Sequence, residues 1–175
     1  DVMRAINEAL SIGQAGEVPV VISHHKVMGR SNWGRSVETL KILEEARVGG
    51  QEVVCDQYPY TAGSTYLAAL LPPSIQAGGH KVYSEKLKDL NLRRVVANQI
   101  ENDDSGQWEN MVKAAGFEGL VISIAQKQKG YIGKSIAEIA RFEEKDPYDV
   151  FFDLLVEEGE GVGVILHYMA EEDVQ

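Results

Sequence analysis

The sequence predicts an α/β fold with parallel strands, of the barrel or doubly wound type, and three observations carry that prediction. Short apolar runs alternate with amphipathic helical stretches along most of the chain. The first two runs flank a helix, which makes a βαβ unit. Polar residues follow directly on the runs, as Ser23-His24-His25-Lys26, Asp56-Gln57-Tyr58 and His167-Tyr168. Strand ends are where ligands meet sheets of this kind.

The elements follow in order. Val2, Met3, Ile6, Ala9 and Leu10 share one face of a helix over residues 2–14. Val20-Val21-Ile22 is a continuous apolar run and suits a strand buried on both faces. After a polar loop, Ser36 is a plausible N-cap, with Glu38 in the first turn favouring the helix dipole. Val37, Leu40, Ile42, Leu43 and Ala46 form that helix's apolar face, and Gly49-Gly50 ends it. Residues 52–58 are the second strand, closed by Pro59. Thr61-Ala62-Gly63-Ser64-Thr65 reads as a flexible, hydroxyl-bearing loop.

The middle is different. Pro72-Pro73 interrupts an apolar stretch, and residues 84–101 read as two short charged helices with Ser84 and Asn91 as caps. A turn follows at residues 102–106, then a third short helix over 108–115. Residues 74–117 are therefore expected to form a small, mainly helical, lid-like insertion. Residues 1–73 and 118–175 would be the βα units on either side. In the second of these, 120–125 is a strand, Ser135 and Glu138 match a capping box, Asp146-Pro147 starts a helix, and Val164-Ile165-Leu166 is the last strand. Asp1-Val2-Met3-Arg4 reads as a helix already under way and residues 170–175 as one beginning, so the chain is expected to be an internal piece of a longer protein.

Composition narrows the function classes. At 44% hydrophobic and 25% charged residues, the chain is globular rather than disordered. A net charge of −10 argues against nucleic acid as a partner, since phosphate binding needs a positive surface. A single cysteine, Cys55, allows no internal disulfide, and a cytoplasmic setting is the natural expectation. No apolar run is long enough to span a bilayer, so no membrane role is expected. Open strand edges in a partial sheet predict self-association.

His24 and His25 are the sharpest candidates. A neutral imidazole is a common zinc ligand, but adjacent strand residues point to opposite faces, so one of the two serves a given site at most. Lys26, two residues on, shares the face of His24 if the strand continues, and suits a substrate carboxylate; on local evidence alone an ordinary exposed lysine is the stronger reading. Tyr58 offers a hydroxyl at the second strand end, or plain packing beside Pro59. Asp56 is open between metal ligand, backbone acceptor and arginine partner. Cys55 reads as buried and inert, His80 as a loop residue and His167 as structural. The chain holds no HxH, HExxH or CxxC motif, so it lacks a complete metal site.

The strings Val18-Pro19-Val20-Val21-Ile22-Ser23-His24-His25-Lys26 running on to Ser36, and Asp56-Gln57-Tyr58-Pro59-Tyr60-Thr61-Ala62-Gly63-Ser64-Thr65, resemble the N-acyl-D-amino-acid deacylase (D-aminoacylase) family of the amidohydrolase superfamily. Residues 133–140 and 169–174 match it as well. The resemblance implies part of a distorted TIM barrel with parallel strands and a lid insertion. It implies zinc as cofactor and hydrolysis of the amide of a small N-acyl-D-amino acid. His24 would be a zinc ligand, Lys26 and Tyr58 would hold substrate, and Ser64 is a weaker candidate. The family's HxH pair, metal-binding cysteine and water-activating aspartate have no counterpart here, and Cys55 does not match that cysteine. No catalytic base is therefore expected within this chain, and the isolated piece is expected to be inactive. Alternatives are a related cyclic-amide hydrolase, a D-dipeptidase or a non-catalytic binding module.

Overall fold

Two contiguous strands with their helices, and a separate antiparallel sheet, make up the computed structural model, which describes residues 2–103 and 105–175. Asp1, where the sequence is expected to open in helix, and Asp104, in the expected turn at 102–106, lie outside the described residues. The chain divides into two compact units: Asp1–Thr61 with Met169–Gln175, and Ala62–Tyr168.

In the first unit, α1 (Val2–Gly16), β1 (Val20–Ile22), α2 (Ser36–Val48) and β2 (Val53–Cys55) form the predicted βαβ unit with a helix before it. β1 and β2 run parallel, with Val20, Val21 and Ile22 opposite Val53, Val54 and Cys55. Ile6 and Leu10 of α1, Leu43 of α2 and Val53 of β2 make one core, against which Val20, Ile22 and Cys55 pack. Both helices therefore lie on the same face of the strand pair. The other face is open: the registered partners Val21 and Val54 are 60% and 52% exposed. The expectation that β1 is buried on both faces is thus corrected, because among the described residues of this unit α1 and α2 cover one face only.

Two further readings change in α2. The buried stripe is Ser36, Thr39 and Leu43, while Val37 and Leu40 face solvent. Ser36 does not cap the helix. Its backbone N–H and that of Gly34 both donate to the carboxylate of Asp173, at 3.0 and 2.8 Å. An acidic side chain from the far end of the sequence thus satisfies the helix's first free donor, that of Ser36, and complements its dipole. The last residues form a 3-10 turn at Glu171–Asp173, not a new α-helix. Met169 N–H donates to the Thr61 carbonyl at 3.2 Å, so this segment joins the first unit where the first unit's chain leaves.

In the second unit, β3 (Ala62–Tyr66), β4 (Leu120–Ile124) and β5 (Gly163–His167) form a sheet of order β3-β5-β4. Both pairings are antiparallel. The parallel alternation expected over 118–175 is therefore not found within this unit. β3 was read as a loop because small polar residues and a glycine dominate it; its pairing to β5 forms it regardless. Gly63 is needed there, since a Cβ would approach the Tyr168 ring to 3.0 Å.

Among the described residues this unit also holds six helices: α3 (Pro73–Gln76), α4 (His80–Lys86), α5 (Leu90–Asn102), α6 (Met111–Ala115), α7 (Ile136–Glu143) and α8 (Pro147–Glu157). The expected capping box at Ser135 and Glu138 is present, with bonds of 3.1 and 2.7 Å. Asp146 caps α8, whose first residue is Pro147. The caps of the middle helices differ: Asp89, not Asn91, caps α5, and Gly79 precedes α4. Residues 74–117 do not separate as a unit. Arg93 of α5, nearly buried, pairs with Asp153 of α8 at 2.7 Å and lies 5.8 Å from the Phe152 ring centroid. Leu87, Ile100, Leu120, Ile122, Ile136, Ile139, Phe151 and Phe152 are fully buried.

Glu158, at the end of α8, is held by three consecutive backbone N–H groups: Gln126 at 2.7 Å, Lys127 at 2.9 Å and Gln128 at 2.5 Å. Burial alone would raise its pKa; the three donors outweigh it and hold the carboxyl below its ordinary value of 4.5. The unfolded chain then binds the proton more tightly than the folded one. Stability from this site is complete above about pH 4.5 and lost as pH falls further. Glu158→Gln should lower stability at pH 7 by about 1–3 kcal/mol and flatten part of the acid limb, as read by urea melts from pH 7 to 3. An unchanged acid limb would show that other carboxylates govern it.

Candidate functional site

The site is built where β1 and β2 end. β1 stops at Ile22, and the chain turns sharply at His24, whose φ is +53°. That left-handed conformation is uncommon for a residue with a side chain. Asp56, just past β2, holds the turn from four sides. Its N–H donates to the Ile22 carbonyl at 3.2 Å, and its carbonyl accepts from His25 N–H at 2.8 Å. Its carboxylate accepts the His24 N–H at 2.7 Å and the Ser23 hydroxyl at 3.0 Å. The His24 amide, foremost, and the Ser23 hydroxyl hold the Asp56 carboxyl below the usual range. Of the three roles open for Asp56 in the sequence, the structure shows the backbone acceptor. Its position at the second strand end was the signal; its partner could not be read without the parallel register.

The turn separates the two histidines. His25 points inward and is 4% exposed. Its Nε2 lies 2.9 Å from the Thr39 hydroxyl, which itself donates to the Ser36 carbonyl. With the Thr39 hydroxyl donating to Ser36, the tautomer assigned from these two bonds has the proton on His25 Nε2. Burial, foremost, pushes the His25 pKa down, against a hydrogen bond with Gln57 that raises it. His25 therefore braces the strand end against α2. His24 is the exposed one of the pair.

Lys26 joins His24 by a route other than strand alternation, since the strand does not continue. Its ammonium folds back to donate to the His24 carbonyl at 3.0 Å. It also lies 5.8 Å from the Tyr58 ring centroid. The His24 and Tyr58 rings are 6.1 Å apart, and Tyr60 stacks on Tyr58 at 6.5 Å. Gln57 ties this strand end to the last residues, donating to the Val174 carbonyl at 3.0 Å. His24, Lys26 and Tyr58 thus form one cluster: an exposed imidazole, a cation and a phenol ring. A cation close to a phenol ring offers donors of the kind a carboxylate takes.

The other candidates lie elsewhere. Ser64 is exposed in β3 of the second unit, opposite Ile165. Cys55 is half-buried against the first unit's core. His80 opens α4 with its ring edge-on to Tyr83 at 5.3 Å, and His167 is exposed at the end of β5. Among the described residues, no group of three or more His, Cys, Asp or Glu side chains is placed to hold a metal ion. A complete metal site is therefore not present among the described residues, since a catalytic zinc commonly has three ligands from protein. No helix among the described residues is long and apolar enough to cross a membrane.

No protein-family model matches the chain. A D-aminoacylase of Alcaligenes xylosoxydans xylosoxydans is 54% identical over 66 residues, which is 38% of this chain and 13% of that protein. The structure of an N-acyl-D-glutamate deacylase from Bordetella bronchiseptica, complexed with zinc and a phosphonate mimic of the tetrahedral intermediate, aligns with a TM-score of 0.64 at 26% identity. That alignment covers 99% of this chain and 27% of the other. A D-aminoacylase structure described as defining a novel subset of amidohydrolases aligns at 0.60 with 31% identity, over 99% and 26% of the two chains. The chain thus spans about a quarter of the solved structures it matches. Its sequence and its mixed α/β fold resemble part of the N-acyl-D-amino-acid deacylase family of amidohydrolases.

Proposed function

We propose that the protein containing this chain is a zinc-dependent amidohydrolase that cleaves the amide bond of N-acyl-D-amino acids. The observation that carries this is the cluster of His24, Lys26 and Tyr58 at the ends of two adjacent parallel strands, in a chain resembling deacylases. When bound, zinc supplies a Lewis acid and an activated water at neutral pH. His24 contributes one imidazole to it; the other ligands and the base lie outside this chain. Lys26 and Tyr58 grip the amino acid's carboxylate, which fixes the scissile bond for attack. Ser64 is the weaker candidate for a substrate contact.

β1 and β2 are proposed as neighbouring strands of a TIM-barrel wall. Helices on one face only, with Val21 and Val54 open on the other, support this, since barrel strands turn their second face inward. Residues 74–117 are proposed as part of a lid.

The test uses the longer protein, N-acetyl-D- and L-amino acids, and a cyclic amide such as a hydantoin. The expected result is release of free D-amino acid from the linear D-substrate, lost on chelation and restored by zinc. Cleavage of the cyclic amide alone, or no metal-dependent cleavage, overturns the reading. The 175-residue chain by itself should release nothing.

A further inference from the structure

We infer that Asp56 is a positioning residue that aims the His24 imidazole; this rests on the reading of His24 as a metal ligand. An imidazole can serve a metal only if its backbone fixes where the ring points. At His24 the chain adopts a φ of +53°, a conformation that the residue's own side chain disfavours. A partner must hold it there. The Asp56 carboxylate accepts the His24 N–H itself at 2.7 Å, the group that the left-handed turn leaves without a ladder partner.

The second oxygen takes the hydroxyl of the preceding residue, Ser23, at 3.0 Å. The backbone of Asp56 is bonded on either side of the turn, to Ile22 and to His25. One residue of β2's end thus fixes Ser23, His24 and His25 together. The carboxylate is engaged through both oxygens with the turn, so it acts on the imidazole through the backbone and does not need to touch a metal. Because Lys26 donates to the His24 carbonyl, the same constraint reaches the cation of the cluster.

The experiment compares Asp56→Ala, Asp56→Asn, Ser23→Ala and His24→Ala in the longer holoenzyme. Zinc affinity is read by competition with a chromophoric chelator. The His24 amide proton shift is read separately by NMR in the 175-residue chain without metal. Asp56→Ala should weaken zinc roughly 10- to 100-fold, the usual effect of losing a group that orients a ligand. It should also remove the downfield shift of the His24 amide. Asp56→Asn keeps an oxygen facing that N–H and should restore most of both; Ser23→Ala should have a smaller effect than Asp56→Ala.

Wild-type zinc affinity in Asp56→Ala would overturn the inference. So would an Asp56→Asn protein as weak as Asp56→Ala, because the carboxylate would then act by its charge or as a ligand. His24→Ala separates the two levels. If it leaves zinc binding unchanged, the ligand reading itself fails; if it abolishes binding while the Asp56 variants do not, only the positioning role fails.

Discussion

His24→Ala in the longer protein is expected to cut zinc-dependent turnover about a thousandfold. A bound metal stabilises transition-state charge by several kcal/mol, and each 1.4 kcal/mol or so is tenfold in rate. Metal content measured on the purified protein should fall in parallel. Lys26→Ala should behave differently. In the proposed role its ammonium would bind substrate in the ground state as well, and a hydrogen bond to a charged group contributes about 1.5–3 kcal/mol. KM should therefore rise roughly 10- to 100-fold with metal content unchanged. If His24→Ala keeps both metal and turnover, the assignment fails. His25 would then be the candidate, although it would first have to leave its buried bond to Thr39.

Phe151→Ala should produce the largest loss of stability. Phe151 is fully buried on α8, with the rings of Phe152 and Phe117 at 5.3 and 6.3 Å. Removing a buried phenyl ring loses its transfer free energy and leaves a cavity, together about 3–5 kcal/mol. For a unit of roughly 100 residues this lowers the melting temperature by more than about 10 °C, measurable by calorimetry. Phe142→Ala is the control: that ring is 78% exposed, and its loss should shift stability by no more than about 0.5 kcal/mol. Equal effects at the two positions would mean that the α8 core does not dominate this unit.

The legible parts of the fold were those with local causes. The capping box at Ser135 and the Asp146-Pro147 start need only residues a few positions apart, and both stand as read. The apolar runs at 20–22 and 53–55 gave the βαβ unit for the same reason. What was not legible depends on distant partners. The Asp173 carboxylate caps α2 from 137 positions away, which no local pattern announces. β3 exists because β5 pairs with it, and its own residues have little strand character. The direction of β4 and β5 is likewise a tertiary choice that an apolar run does not encode.

The site divides in the same way. Histidines at a strand end were visible, but which one faces outward was not. That is decided by the turn at His24, and the turn is held by a carboxylate from the next strand. Lys26 and Tyr58 were readable as candidates by residue type and place. Their association comes from the fold-back of the lysine, a tertiary detail.

The bond between Met169 N–H and the Thr61 carbonyl has a further meaning. The chain departs for Ala62–Tyr168 and comes back at almost the same point, so the first unit is a discontinuous domain carrying a guest. Host segments that meet so closely accept exchange of the guest with little backbone displacement. A lineage could therefore replace the whole 62–168 cassette while Asp56 and His24 keep their places.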